Sequence, residues 1–103
     1  MNIESLKNLA DERFNHALYR KNIKERIESQ LIVTHNNGLF KATQQLIAFL
    51  NAWDEDIIFL EDEYHNPIKC DRVQLLTALK EAYQFAMNQW HTDFTNSKKI
   101  RKL

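Results

Sequence analysis

The sequence predicts one α+β domain in which two long amphipathic helices pack antiparallel, with a short helix and two β-hairpins at one end. The chain of 103 residues has one glycine and one proline, Gly38 and Pro67, and both lie in turn-forming segments between short apolar runs. The segments outside these turns lack both helix breakers, and apolar residues recur there at three- and four-residue steps. Such a pattern is typical of long helices that flank hairpins.

The first predicted helix covers residues 3–28. Its apolar stripe continues through Tyr19, Ile23 and Ile27 at four-residue steps, while charged residues occupy the rest of its circumference. A helix of this length is roughly 40 Å long. Since two hairpins are too small to cover so long a stripe, we expect the other long helix to pack against it; the alternative is that another chain covers part of the stripe.

The first predicted hairpin covers residues 30–42. Asn-Gly is the strongest short hairpin signal, because both positions of a type I′ turn need positive φ. We therefore expect Asn37 and Gly38 to form the two-residue loop. In that register Asn36 pairs with Leu39.

The short helix is predicted over Gln44–Trp53, with Thr43 as its N-cap. The three acidic residues at 54–56 follow directly. Negative charge at a helix C-terminus opposes the helix dipole, so we expect the helix to end there.

The second hairpin is predicted from an apolar run, Ile57–Leu60, that we interpret as a strand buried on both faces. Residues 61–66 form the turn. The return strand is Pro67–Cys70, which we expect at an edge because proline has no N–H to donate.

The last helix is predicted over residues 71–97. Asp71 has N-cap character and Gln74 follows three residues later, which is a capping-box spacing. Apolar residues then alternate at three- and four-residue steps: Leu76, Leu79, Tyr83, Ala86, Trp90 and, one turn further, Phe94. We expect the helix to fray at residues 95–97, so that the domain comprises residues 1–97 and residues 98–103 form a short basic tail.

Charge is unevenly distributed although the formal net charge is zero. Residues 54–71 hold seven Asp and Glu against one lysine, and residues 72–103 hold six Lys and Arg against two acidic residues. This polarity suits head-to-tail contacts or a charged partner. With one cysteine, no signal peptide pattern and no apolar run of membrane-spanning length, we expect a cytoplasmic protein without membrane contact.

No motif for catalysis or metal binding is present in the sequence. The four histidines have no i,i+4 spacing with one another, and one glycine is too few for a phosphate-binding loop. Cys70 precedes a helix N-terminus, but the spacing places no base beside it. The carboxylates of residues 54–56 and 61–63 lie at opposite ends of a strand about 17 Å long. We therefore expect a protein that is not an enzyme and takes no cofactor.

A protein partner or self-association is the predicted function, and the aromatic residues late on the last helix are its first candidates. Tyr83, Trp90 and Phe94 lie on one stripe, and we expect the compact end of the domain to leave Trp90 and Phe94 uncovered. Asp62 and Glu63 are candidate charged contacts in the second hairpin.

Nucleic-acid association is the alternative function. Lys98, Lys99, Arg101 and Lys102 form a basic tail that can contact phosphates. A pI near 6.9 disfavours this alternative, because nucleic-acid-binding domains are usually strongly basic.

Three stretches, 40–50, 60–69 and 83–90, resemble small uncharacterised proteins of contractile-tailed phages of marine cyanobacteria. The resemblance includes the Asn66-Pro67 turn, although His65 stands where we expect glycine. It implies a phage-encoded accessory, assembly or structural protein that acts in the host cytoplasm or in the virion, and it implies no catalytic residue.

Overall fold

The computed structural model describes the backbone of residues 3–102 and the side chains of residues 15–96. It confirms an α+β fold, with three helices and two separate two-stranded antiparallel sheets in the described part of the chain. The elements are α1 (Ile3–Gln30), β1 (Ile32–His35), β2 (Gly38–Lys41), α2 (Gln44–Ala52), β3 (Ile57–Glu61), β4 (Pro67–Asp71) and α3 (Arg72–Lys102).

The loop of the first hairpin differs from the predicted one. His35 pairs with Gly38, so the two loop residues are Asn36 and Asn37, with φ of 48° and 66°. Two asparagines at positive φ form a type I′ turn, because asparagine tolerates the left-handed region better than most residues. The predicted register, in which Asn36 pairs with Leu39, is therefore wrong.

Gly38 is required for a reason other than turn geometry. It is a buried strand residue, and a Cβ atom placed on it would lie 2.7 Å from Cγ1 of Ile68 in the second hairpin. Glycine at this position lets the two hairpins approach each other. It does not supply a positive φ.

Five residues, 62–66, connect β3 and β4, and the N–H of Asp62 donates to the carbonyl of Asn66, so the loop itself is the three residues 63–65. The backbone N–H of His65 donates to the carbonyl of Asp62, and His65 has a φ of 65°. A turn followed by one left-handed residue is the usual three-residue hairpin loop, in which glycine is favoured at the left-handed position. This geometry accounts for the glycine expected at position 65.

Burial in the second hairpin differs from the prediction. Ile58 is buried and Leu60 is half-buried, but Ile57 and Phe59 face outwards. The prediction that β3 is buried on both faces is wrong, because a two-stranded sheet has only one face against the core.

Both predicted N-caps of the later helices are confirmed. The hydroxyl of Thr43 accepts from the N–H of Leu46 at 3.1 Å, and the carboxylate of Asp71 accepts from the N–H of Gln74 at 3.0 Å. The α3 helix continues to Lys102, beyond its predicted end at residue 97. Within the segment predicted to fray, the Thr95 hydroxyl donates to the carbonyl of His91, one turn earlier in the helix.

The core lies where α2, both hairpins and the first half of α3 meet. Its fully buried side chains include Leu50 from α2, Cys70 from β4, and Leu75 and Leu79 from α3. Ile23 and Ile27 of α1 belong to the same cluster. The end of α1 and the start of α3 therefore both contribute to one hydrophobic core.

The molecule is elongated. Its radius of gyration is 19.5 Å and its longest dimension 66 Å, whereas a compact chain of this length has a radius of gyration of about 13 Å. The α1 and α3 helices are in contact, and Arg26 forms an ion pair with Asp93. The antiparallel direction of this helix pair stays a prediction.

Candidate functional site

The apolar stripe of α3 changes from buried to exposed along the helix. Leu79 is fully buried, Tyr83 and Met87 are half-buried, and Trp90 and Phe94 expose 42% and 51% of their surface. These residues are three or four apart, so they lie on one side of the helix. The described elements that cover the start of the stripe therefore leave about half of the surface of Trp90 and Phe94 exposed.

Tyr83 lies apart from the other two aromatic residues, in a groove between α2 and α3. The groove has a volume of about 480 Å³, and Gln44, Ile47, Asn51 and Lys80 also line it. The Nε2 atom of Gln44 donates to the Tyr83 hydroxyl at 2.7 Å. Because this bond holds the Tyr83 ring against α2, Tyr83 is not part of the exposed end of the stripe.

Trp90 and Phe94 lie beside the contact between α1 and α3. Asp93, which pairs with Arg26, is next to Phe94 in the chain. We name the exposed end of the stripe, Trp90 and Phe94, the α3 aromatic surface. The side chain of Phe85 is also exposed but lies on the opposite side of α3.

Asp62 is a buried residue whose carboxylate is bonded to the backbone of both hairpins. It exposes only 5% of its surface. One carboxylate oxygen accepts from the N–H groups of Tyr64 and Asn66 inside its own turn, and the other accepts from the N–H of Leu39 in β2 at 3.0 Å. Little of this carboxylate is available to a partner. Its neighbour Glu63 is exposed, and the backbone N–H of Glu63 donates to the Leu39 carbonyl.

Hydrogen bonds shift the pKa values of Asp62 and His65 in this turn. Three backbone N–H groups, from Asn66, Leu39 and Tyr64, hold the pKa of the Asp62 carboxyl below its usual value. The Glu61 carboxylate lies 2.7 Å from Nδ1 of His65 and raises the pKa of that imidazole. The Asp62 carboxylate therefore stays charged to a lower pH than an aspartate without these hydrogen bonds.

The Cys70 thiol is unsuited to act as a nucleophile. It is fully buried, its sulfur donates to the carbonyl of Ile68, and burial raises its pKa. Among the described side chains, no group of three or more His, Cys, Asp and Glu residues is placed to hold a metal ion.

Sequence reasoning missed a second exposed apolar surface, on β3. Ile57 and Phe59 expose 47% and 68% of their surface on the outer face of the second hairpin. A continuous apolar run gave no sign that one face would be open. Burial alternates along β3, and this alternation follows from which face of the β3–β4 hairpin packs on the core, which the apolar run does not indicate.

The structure does not describe the side chains of the predicted basic group, Lys98, Lys99, Arg101 and Lys102. Within the described helices, none combines the length and the apolar character that a bilayer crossing requires.

Comparisons of this chain with protein-family models, with curated proteins and with solved structures find no match.

Proposed function

We propose that this chain is a non-enzymatic protein–protein interaction module that binds a protein partner, or a second copy of itself, through the α3 aromatic surface. The observation that carries the proposal is the loss of burial along one helical stripe, from Leu79 at 0% exposed to Phe94 at 51%. Large exposed aromatic side chains in a row are typical of interaction surfaces.

Energetics favour this use of the stripe. Burying apolar surface releases about 25 cal/mol per Å², and tryptophan is enriched among the residues that dominate binding energy. Trp90 and Phe94 are carried by a helix whose first half is anchored in the core by Leu75 and Leu79. An anchored helix loses less conformational entropy on binding than a flexible loop.

We also propose that α1 and α3 run antiparallel, which makes the paired helices an elongated arm. The ion pair between Arg26 and Asp93 supports this arrangement together with the core, because Ile27 and Leu31, which follow Arg26, lie in one cluster with Leu75 from the start of α3. An arm of this kind presents the α3 aromatic surface away from the hairpins.

The resemblance to small proteins of contractile-tailed phages leads us to propose a phage or host-cell protein as the partner. The module would then act in the host cytoplasm or in the virion, as an assembly, structural or host-takeover factor.

Site-specific photocrosslinking tests the α3 aromatic surface. Benzoylphenylalanine is placed at Trp90 in one variant and at Phe85, on the opposite side of α3, in the control. We expect a defined crosslinked species from position 90 and none from position 85. Sedimentation velocity of the purified chain then shows whether the species is a second copy, since only self-association persists without other proteins.

Two results would overturn this function. One is equal crosslinking at positions 85 and 90, since that indicates nonspecific contact. The other is a salt-sensitive affinity for DNA that the double variant Trp90→Ser, Phe94→Ser retains, because it would favour the nucleic-acid alternative through Lys98, Lys99, Arg101 and Lys102.

A further inference from the structure

We propose that the open edge of β3 binds an extended peptide segment of another protein, one with alternating apolar residues and with lysine or arginine at both ends. The segment adds a third strand to the second hairpin, a mode in which backbone hydrogen bonds give affinity and alternate side chains give specificity. This surface is separate from the α3 aromatic surface and goes beyond the function proposed above.

The hydrogen bonds of β4 show which groups of β3 point outwards. The N–H of Asp71 donates to Nε2 of His35, and the carbonyl of Lys69 accepts from Nδ2 of Asn36, so both residues direct these groups away from β3. Their partners across the sheet are Ile57 and Phe59. In an antiparallel pair, opposite residues direct their backbone groups the same way relative to the ladder, either both inwards or both outwards.

Ile57 and Phe59 therefore direct their N–H and C=O groups to the open side of β3. Among the described residues, none forms a backbone hydrogen bond with these outward groups of Ile57 or Phe59. The corresponding edge of β4 is occupied by the first hairpin, through His35 and Asn36. An unpaired edge beside exposed apolar side chains is a template for strand addition.

Apolar contact adds to the backbone pairing. The side chains of Ile57 and Phe59 lie two residues apart on one face, and Phe59 is 68% exposed. A strand added to β3 places alternate side chains beside them. The incoming segment therefore needs apolar residues at alternate positions.

Charge complementarity identifies the ends of the segment. Three exposed acidic residues, 54–56, precede β3, while Glu61 ends it and Glu63 follows. Both ends of an added strand consequently meet carboxylates, whichever direction it runs. Lysine or arginine at each end of the segment is attracted to them.

The same charges disfavour a second copy of this chain as the occupant. A symmetric pairing of two β3 strands about Phe59 sets residues 54–56 of one copy opposite residues 62–64 of the other, which include Glu63. It also sets Ile57 opposite Glu61. Like charges directly opposite each other destabilise a strand pair, so the partner is a basic segment from a different protein.

The direct test uses a fluorescent nine-residue peptide with valine, threonine and isoleucine alternating in its centre and two lysines at each end. We expect anisotropy to report binding to the full chain with a Kd in the micromolar range, weakened by raising the salt from about 50 to 200 mM. Two control peptides are expected not to bind: one with glutamates in place of the lysines, and one with prolines at alternate central positions.

Two matched protein variants locate the site. Phe59→Thr keeps a residue suited to strands but removes the apolar ring, and we expect it to weaken peptide binding about tenfold. Phe85→Thr removes an equally large exposed ring from α3 and is expected to leave binding unchanged. Thermal unfolding followed by circular dichroism verifies that both variants remain folded.

Several results would overturn the proposal. They are no binding by the lysine peptide at about 1 mM, equal binding by the proline peptide, or equal loss in both variants. A dimer of the wild-type chain that Phe59→Thr dissociates would show that the occupant is a second copy. Since Trp90 is unaltered in these experiments, the proposed function of the α3 aromatic surface is tested independently.

Discussion

The carboxylate of Asp62 accepts a hydrogen bond from the backbone N–H of Leu39 at 3.0 Å, across a sequence separation of 23 residues. The Leu39 carbonyl in turn accepts from the N–H of Glu63 at 2.8 Å. This pair of bonds attaches the turn of the second hairpin to the edge of the first. These bonds hold the two sheets together, although no strand of one sheet pairs with a strand of the other.

Replacing Asp62 tests whether this attachment stabilises the fold. In Asp62→Ala three backbone N–H groups, from Leu39, Tyr64 and Asn66, lose their acceptor. We expect the midpoint of thermal unfolding to fall by several degrees, because unsatisfied polar groups that stay out of water are costly. Glu63→Ala, whose side chain is exposed, is the control and is expected to change the midpoint little. Equal effects of the two variants would contradict the structural role of Asp62.

Acid pH should weaken the same attachment. Hydrogen bonding lowers the pKa of Asp62 in the folded state below its unfolded value. The contribution of Asp62 to stability is therefore fully present above a pH of about 4 and is lost as the pH falls through the folded pKa. We expect urea unfolding at a series of pH values to show this loss in the wild type. The slope below pH 4 should be smaller in Asp62→Asn, and an unchanged slope would assign the loss to other carboxylates.

The close approach of the hairpins at Gly38 gives a prediction about packing. In Gly38→Ala the new methyl group would lie 2.7 Å from Cγ1 of Ile68, an atom near the backbone with little freedom to move. We expect a loss of about 1–3 kcal/mol in the free energy of unfolding, as for other overpacked sites. The double variant Gly38→Ala, Ile68→Ala relieves the overlap, so a double-mutant cycle should give a favourable coupling energy. Additive effects would show that the two residues do not meet.

The loop of the first hairpin offers a stabilising substitution. Asn37 has a φ of 66°, which glycine adopts without the steric cost that a side chain incurs. We expect Asn37→Gly to increase the free energy of unfolding by up to about 1 kcal/mol, because relief of the left-handed conformation in a preferred Asn-Gly type I′ turn outweighs the greater freedom of glycine in the unfolded chain. Asn37→Ala, which has a Cβ but no amide, should decrease it. A destabilising Asn37→Gly would favour the register with Asn37 and Gly38 in the loop.

The features that the sequence predicted correctly depend on short-range signals. The N-caps at Thr43 and Asp71 each bond to an N–H three residues ahead, so the cap and its partner are visible within one helical turn. The α3 stripe is likewise a local repeat. Because neither feature depends on distant contacts, sequence spacing was sufficient to find them.

The features that were missed depend on contacts between distant residues. The two possible registers of the first hairpin differ by two residues in pairing, so they place the same side chains on the same faces. Hydrophobic alternation therefore could not distinguish them. The requirement for Gly38 comes from Ile68, and the structural role of Asp62 comes from Leu39, neither of which is near in sequence. The exposure of Phe59 similarly depends on which elements cover the second hairpin.

The direction of the α1–α3 pair can be measured by the distance between two labels. The ion pair between Arg26 and Asp93 aligns these positions along the helix axes. At 1.5 Å per residue, an antiparallel pair then places Tyr19 and Phe85 roughly 20 Å apart along the axis, whereas a parallel pair places them almost level. Spin labels at these two exposed positions, in a Cys70→Ser background, should give the longer distance in pulsed electron–electron double resonance. The shorter distance would refute the antiparallel arm, because with positions 26 and 93 level along the axes, only a parallel pair also brings positions 19 and 85 level.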